Sequence, residues 1–215
     1  MALDDVLAHL AASHDDVLAS LVAFAAIPSV STDPAHAGDV QRAAHWVADR
    51  LREAGPFAVE VWPTAGHPVV YAEWLGAPGR PTVLVYGHYD VQPVDPLDLW
   101  ESPPFVPIVK GNRIQGRGSS DDKGQIMIHL AALDALTAVR GGAPINLKYV
   151  FEGEEESSSV HLDPWLTANR ERLAADLAVI SDTGFFEGNR PAITIALRGI
   201  AAYQLDVWGP GVDLH

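Results

Sequence analysis

The nine residues Gly116-Arg-Gly-Ser-Ser-Asp-Asp-Lys-Gly124 most constrain what this chain can become. Glycines and serines lead into adjacent carboxylates, and an amphipathic helix pattern follows at once. One reading of this arrangement is a helix N-cap with an acid facing the helix dipole. A phosphate-binding loop is excluded, because the pattern wants a third glycine where Asp121 stands and lacks the Gly-Lys-Ser/Thr ending. A carboxylate at that point would also repel phosphate. Asp121 is a candidate for the centre of a metal site, because acidic and histidine residues at the ends of apolar runs on either side could converge on this turn.

The flanking pattern places this turn in an α/β fold. Helical periodicity predicts one or two helices over 3–26, a helix over 38–53 and another over 124–139. Alternating or continuous apolar runs predict strands at 57–62, 69–75, 82–86, 145–151 and 177–180, with a small hairpin around Lys110-Gly-Asn112. A helix is expected over 157–172, and two closing strands over 192–197 and 201–208. Helices alternate with strands, so the expected class is a mainly parallel central sheet flanked by helices.

Several apolar runs end in a potential ligand. His88 and Asp90 follow the strand at 82–86, and alternate residues point the same way. Glu152-Gly-Glu-Glu-Glu156 follows the strand at 145–151, and Asp182 follows the one at 177–180. Ligand sites of open α/β sheets lie at such strand ends. Taken together, His88, Asp121, Glu156 and Asp182 point to a bound cation. The chain has no cysteine, so disulfides and thiolate ligands are excluded. One histidine among carboxylates suits Zn²⁺ first, with Mn²⁺ or Co²⁺ as alternatives. The surplus of carboxylates suggests two divalent ions. Such a pair activates a water and polarises a carbonyl, with a neighbouring glutamate as general base.

Composition sets the setting. The formal net charge of −14 makes nucleic acid and anionic membranes poor partners. The N-terminus Met1-Ala-Leu-Asp-Asp5 is acidic and lacks the basic stretch of a signal peptide, and no apolar run has the length of a membrane span. A cytoplasmic protein is expected.

Six ordered motifs then match a known family. They are Tyr86-Gly-His-Tyr-Asp-Val-Gln-Pro93, Trp100 through Pro104-Phe105, the Gly116–Gly124 turn, Glu152-Gly-Glu-Glu-Glu-Ser157, Ile180-Ser-Asp182 and Leu197-Arg-Gly199. On these residues the chain resembles the M20 metallopeptidases, within them the carnosinase-like cytosolic dipeptidases. The resemblance implies that His88 and Asp182 bind one metal and that Asp90 orients His88. It implies that Asp121 bridges both ions through a cis peptide to Asp122. Glu156 would bind the second ion and Glu155 would be the general base. The chemistry implied is dipeptide hydrolysis by a metal-bound hydroxide. An N-acyl amino acid deacylase of the same fold and a non-catalytic metal-binding remnant are the alternatives. His215 matches a lid histidine that helps hold substrate, often across a dimer. Residues 1–199 would form the N-terminal part of the catalytic domain and 200–215 the start of a lid. Members of the family continue past this point and supply a last histidine to the second metal. That ligand and the lid are expected to be missing here, leaving a homodimer or a second chain as partner beside the small peptide substrate.

Overall fold

The computed structural model describes residues 2–187 and 190–212. These fall into two compact units, 1–182 and 183–215.

In the first unit the N-terminal helical stretch is two helices, α1 (Leu3–Ala12) and α2 (His14–Ala25), bent by 61°. The break falls at Ser13, whose hydroxyl donates back to the His9 carbonyl at 3.0 Å and competes with helix continuation. Helix α3 (Ala37–Ala54) buries Val40, Ala43, Ala44, Val47 and Leu51, a stripe at helical spacing. Its stripe packs with α2 and with α4 (Lys123–Arg140) into the main apolar core on one side of the sheet. A smaller cluster around Val69, Tyr71, Val150 and Trp165 covers the other side, where α5 (Leu162–Ala168) lies. No single helix among the described residues is long and apolar enough to cross a membrane.

The strands of the central sheet are β1 (Ala58–Trp62), β2 (Val69–Trp74), β3 (Thr82–His88), β6 (Asn146–Glu152) and β7 (Leu177–Ile180). A separate hairpin joins β4 (Ile108–Lys110) to β5 (Arg113–Gln115). The five-stranded order is β1-β2-β6-β3-β7. The fold is α/β with helices on the sheet, as expected, but the pairing is mixed. Strand β3 runs parallel to β6 and β7, while β2 runs antiparallel to β1 and β6. Every residue of β6 is buried, as befits a central strand covered on both faces, and its one buried cation, Lys148, is satisfied by the carbonyls of Arg172 and Ala174.

This topology positions the site. The register pairs His88 with Glu152 and Tyr86 with Ile180, so the carboxyl ends of three neighbouring strands come together. The residues that follow them, Asp90, Glu154 to Glu156 and Asp182, emerge at one edge of the sheet. The turn at Asp121–Asp122 enters the same edge as it opens α4.

Two local expectations are corrected. The helix expected over 157–172 is confined to α5, because Glu155–Ser157 forms a 3-10 turn and Ser158 and Ser159 take positive φ values of 79° and 50°. In the second unit, 192–197 and 201–208 form no strand; an isolated bridge between Phe186 and Arg190 is the β pairing described there. A strand is held by hydrogen bonds to a neighbour, and no described segment lies alongside these runs to supply them.

Candidate metal centre

His88 ends β3 fully buried. Its position depends on Gly87: a Cβ there would sit 2.5 Å from Asp122 Oδ2, the atom that accepts the His88 backbone N–H at 3.0 Å. The imidazole is fixed from behind. Nδ1 lies 3.2 Å from the Asp90 carbonyl oxygen and 3.3 Å from Asp90 Oδ1, both acceptors. With the Nδ1 proton donated there, Nε2 is the nitrogen presented to the site.

Among the described residues, the side chains that Nε2 meets are acids. Asp121 Oδ1 is 3.0 Å away, Asp182 Oδ2 3.7 Å and Glu155 Oε2 4.0 Å. A lone pair facing carboxylate oxygens is repulsive unless a proton or a metal ion stands between them. Two three-residue sets have all their ligand atoms within 4.8 Å of one another: His88 with Asp121 and Asp182, and His88 with Glu155 and Glu156. The donor set of one imidazole and several carboxylates therefore fits divalent cations. His88 belongs to both sets, while Asp121 groups with Asp182 rather than with Glu156.

The electrostatics carry the same demand for positive charge. Burial works against a charged His88, but hydrogen bonds to Asp121 and Asp90 outweigh it and raise its pKa to about 11. The bond to His88 lowers Asp121. Burial, the largest effect, raises Glu155, Glu156 and Asp182, and neighbouring acids raise each further. Asp122 is pushed up to about 7, chiefly by burial. Its Oδ1 has no hydrogen-bond partner among the described residues. The Asp121–Asp122 peptide is cis.

Asp90 does more than hold the imidazole. Its carboxylate accepts the backbone N–H of Glu155 at 3.3 Å and of Glu156 at 3.1 Å, so one buried acid ties the His88 ring to the turn carrying both glutamates. The same turn separates three acids that the sequence could not rank without the family pattern. Glu154 points away, accepting the His67 backbone N–H at 3.1 Å and lying 3.0 Å from His161 Nδ1. Glu155 and Glu156 face His88. Gln92 donates to Glu156 Oε2. His129, on α4, bonds Ser181 Oγ at 2.8 Å. His215 lies outside the described residues.

Sequence reasoning passed over two buried groups at this edge. Ser29 donates to the Tyr89 carbonyl at 2.7 Å. Lys123, wholly buried, donates to the carbonyls of Ile27 at 2.6 Å and Phe24 at 3.2 Å. Burial lowers the Lys123 pKa to about 7. Nothing in the local pattern around Ser29 marked it. Lys123 carried a weak signal, a cation directly behind two acids at a helix start, where acids rather than cations are favoured.

Residues 84–211 match the peptidase family M20/M25/M40. Among curated relatives, the chain is 35% identical over 206 residues to the Cys-Gly metallodipeptidase DUG1 of Candida albicans, covering 88% of this chain and 42% of that protein. It is 35% identical over 150 residues to the human Beta-Ala-His dipeptidase, covering 69% of this chain and 30% of that one. The crystal structure of human carnosine dipeptidase 1 superposes with a TM-score of 0.79 at 31% identity, over 85% of this chain and 41% of that one. The chain thus spans less than half the length of the curated relatives it matches.

Proposed function

This chain belongs to peptidase family M20/M25/M40, and we propose that it carries the metal-holding half-site of a dipeptide hydrolase. The observation behind this reading is His88 Nε2, a buried nitrogen that faces carboxylate oxygens from three separate segments. The names of its relatives, Cys-Gly and Beta-Ala-His dipeptidases, supply the substrate class: a small peptide.

In this reading His88 and Asp182 hold one divalent ion, Glu156 holds a second, and Asp121 is shared. Zn²⁺ is the first choice, with Mn²⁺ or Co²⁺ as alternatives. Cations held there supply Lewis acidity to the scissile carbonyl and to the attacking water. The chain's own residues do the rest. Asp90 keeps the Nδ1 proton in place and so keeps Nε2 free to ligate. Glu155, lifted above the usual carboxylate range by burial, takes a proton from the water and returns it to the leaving amine. Asp90 also fixes the backbone of Glu155, which sets where that proton is received. Residues 1–199 serve as the catalytic segment and 200–215 as the start of a lid carrying His215. The acidic, cysteine-free chain acts in the cytoplasm on this proposal.

The test is hydrolysis of Cys-Gly and β-Ala-His with added Zn²⁺ or Mn²⁺, comparing the wild type with Glu155→Gln at equal metal content. The substitution should lower kcat by about 10²–10⁴-fold, the range of general acid–base catalysis. Equal turnover by the two proteins would remove Glu155 from the base role. Cleavage of N-acyl amino acids in place of dipeptides would move the chain to the deacylase reading.

A further inference from the structure

One largely buried segment contacts the neighbours of both His88 and Asp121 without supplying a ligand. Residues 24–30 run from the end of α2 into the following loop. On one side Ser29 grips the end of β3: its hydroxyl donates to the Tyr89 carbonyl at 2.7 Å, and its own carbonyl accepts the Val91 N–H at 2.9 Å. Val30 forms a parallel bridge with Val91. These contacts bracket Asp90, the residue that holds the His88 imidazole. On the other side the same segment receives Lys123. The Lys123 ammonium reaches the carbonyls of Ile27 and Phe24 and lies 5.0 Å from the centre of the Phe24 ring. That ring is itself stacked on Trp46, with centroids 4.2 Å apart. Lys123 follows directly on Asp121 and Asp122.

The chain therefore has two routes to the centre that meet in one place. The route through β3 brings His88 and the route through the glycine-serine turn brings Asp121. No strand pairing fixes the distance between them, since the turn belongs to no sheet. Gly118, at φ +76°, shows how close the turn comes: a Cβ there would meet Val91 Cγ1 at 2.6 Å. An amine donates to carbonyls whether or not it carries a charge, so the tie does not depend on the ionisation of Lys123.

We infer that residues 24–30 act as a buckle that sets the spacing between His88 and Asp121, with Lys123 and Ser29 as its positioning residues. This rests on the metal-holding reading above. It gives the helical N-terminus a role in the centre although it offers no ligand. The His88 N–H bond to Asp122 Oδ2 joins the turn to the strand end at one point, and loss of either fastening lets the turn tilt about that point and moves Asp121 relative to His88. Outer-shell partners of metal sites change affinity about 10–100-fold when removed.

The test is Co²⁺ titration of the whole chain, followed by the visible d–d absorption of the bound ion, which reports ligand geometry. Lys123→Met keeps the length and apolar stem of the side chain and removes its donors. It should weaken Co²⁺ binding about 10–100-fold and alter the band positions, with thermal unfolding still cooperative. A folded Lys123→Met protein with wild-type affinity and spectrum overturns the buckle and leaves the metal reading intact. Failure of the wild type to bind Co²⁺ overturns the metal reading and the buckle with it. Should Lys123→Met not fold, Ser29→Ala decides: the same weakening and spectral change supports the buckle, and an unchanged spectrum and affinity overturn it.

Discussion

The run at Val83–Tyr86 and the runs at 192–197 and 201–208 look alike as sequence, and they end differently. The first lies in β3 between β6 and β7, and its carboxyl end presents His88. The others leave Ile193, Ile195, Leu197, Tyr203 and Leu205 exposed, with no strand partner among the described residues. Apolar, β-branched sequence is a licence to pair, and the pairing makes the strand. Function follows the same division. The acids and the imidazole of the candidate centre lie at the ends of paired strands or on the turn and loop beside them.

This contrast can be broken most forcefully by mutation in the paired region. Phe151→Ala in β6 empties a fully buried site and should cost about 3–5 kcal/mol of stability by denaturant unfolding. A loss below 1 kcal/mol would mean that the sheet is not the organising core. His88→Ala should reduce Zn²⁺ or Co²⁺ affinity by more than the ~100-fold upper end seen for outer-shell losses, measured by calorimetry. Retained affinity would place the metal elsewhere.

The proton on His88 gives a subtler test. Its folded pKa, about 11, is above the unfolded value of ~6.5. In the metal-free protein its contribution to stability is complete below about pH 6.5 and is lost as pH rises through about 11. Metal has to displace that proton, so affinity should climb with pH by up to ~tenfold per unit while one proton is released. A pH-independent affinity between pH 6 and 9 would show that His88 does not titrate with binding. The smallest effect belongs to the unpaired region. Ile195→Ser should change stability by no more than about 0.5 kcal/mol, and amides at 192–208 should exchange with solvent far faster than those of β6. Slow exchange there would reveal a partner for these runs in solution.

Much of this was legible because of how the strands end. Val83–Tyr86 and Leu177–Ile180 are short and apolar throughout, and Leu147–Phe151 is apolar but for Lys148, which marks all three as strands; in the structure β3 is parallel to both β6 and β7, although β7 lies largely exposed where its apolar run reads as a buried strand. Parallel neighbours share their carboxyl ends, so the meeting of His88, the glutamate turn and Asp182 followed from topology. The direction of β2 was not legible, since alternation sets which face a residue takes and says nothing of the neighbour's direction. The helix at 157–172 failed for a local reason. The expected helix took in Ser158 and Ser159, whose positive φ values instead belong to the turn that follows Glu155 and Glu156. Ser29 was illegible and Lys123 only faintly marked, because their partners are backbone carbonyls, 60 and 96 residues away in sequence.

The central question is whether a cation sits between His88 Nε2 and the acids around it. Crystals of the chain grown with Zn²⁺ and measured at the zinc absorption edge answer it directly. An anomalous peak about 2.0–2.1 Å from His88 Nε2, with oxygens of Asp121 and Asp182 completing the contacts, is the predicted result. Zinc bound only at other acidic groups, with no peak at His88 Nε2, would contradict it.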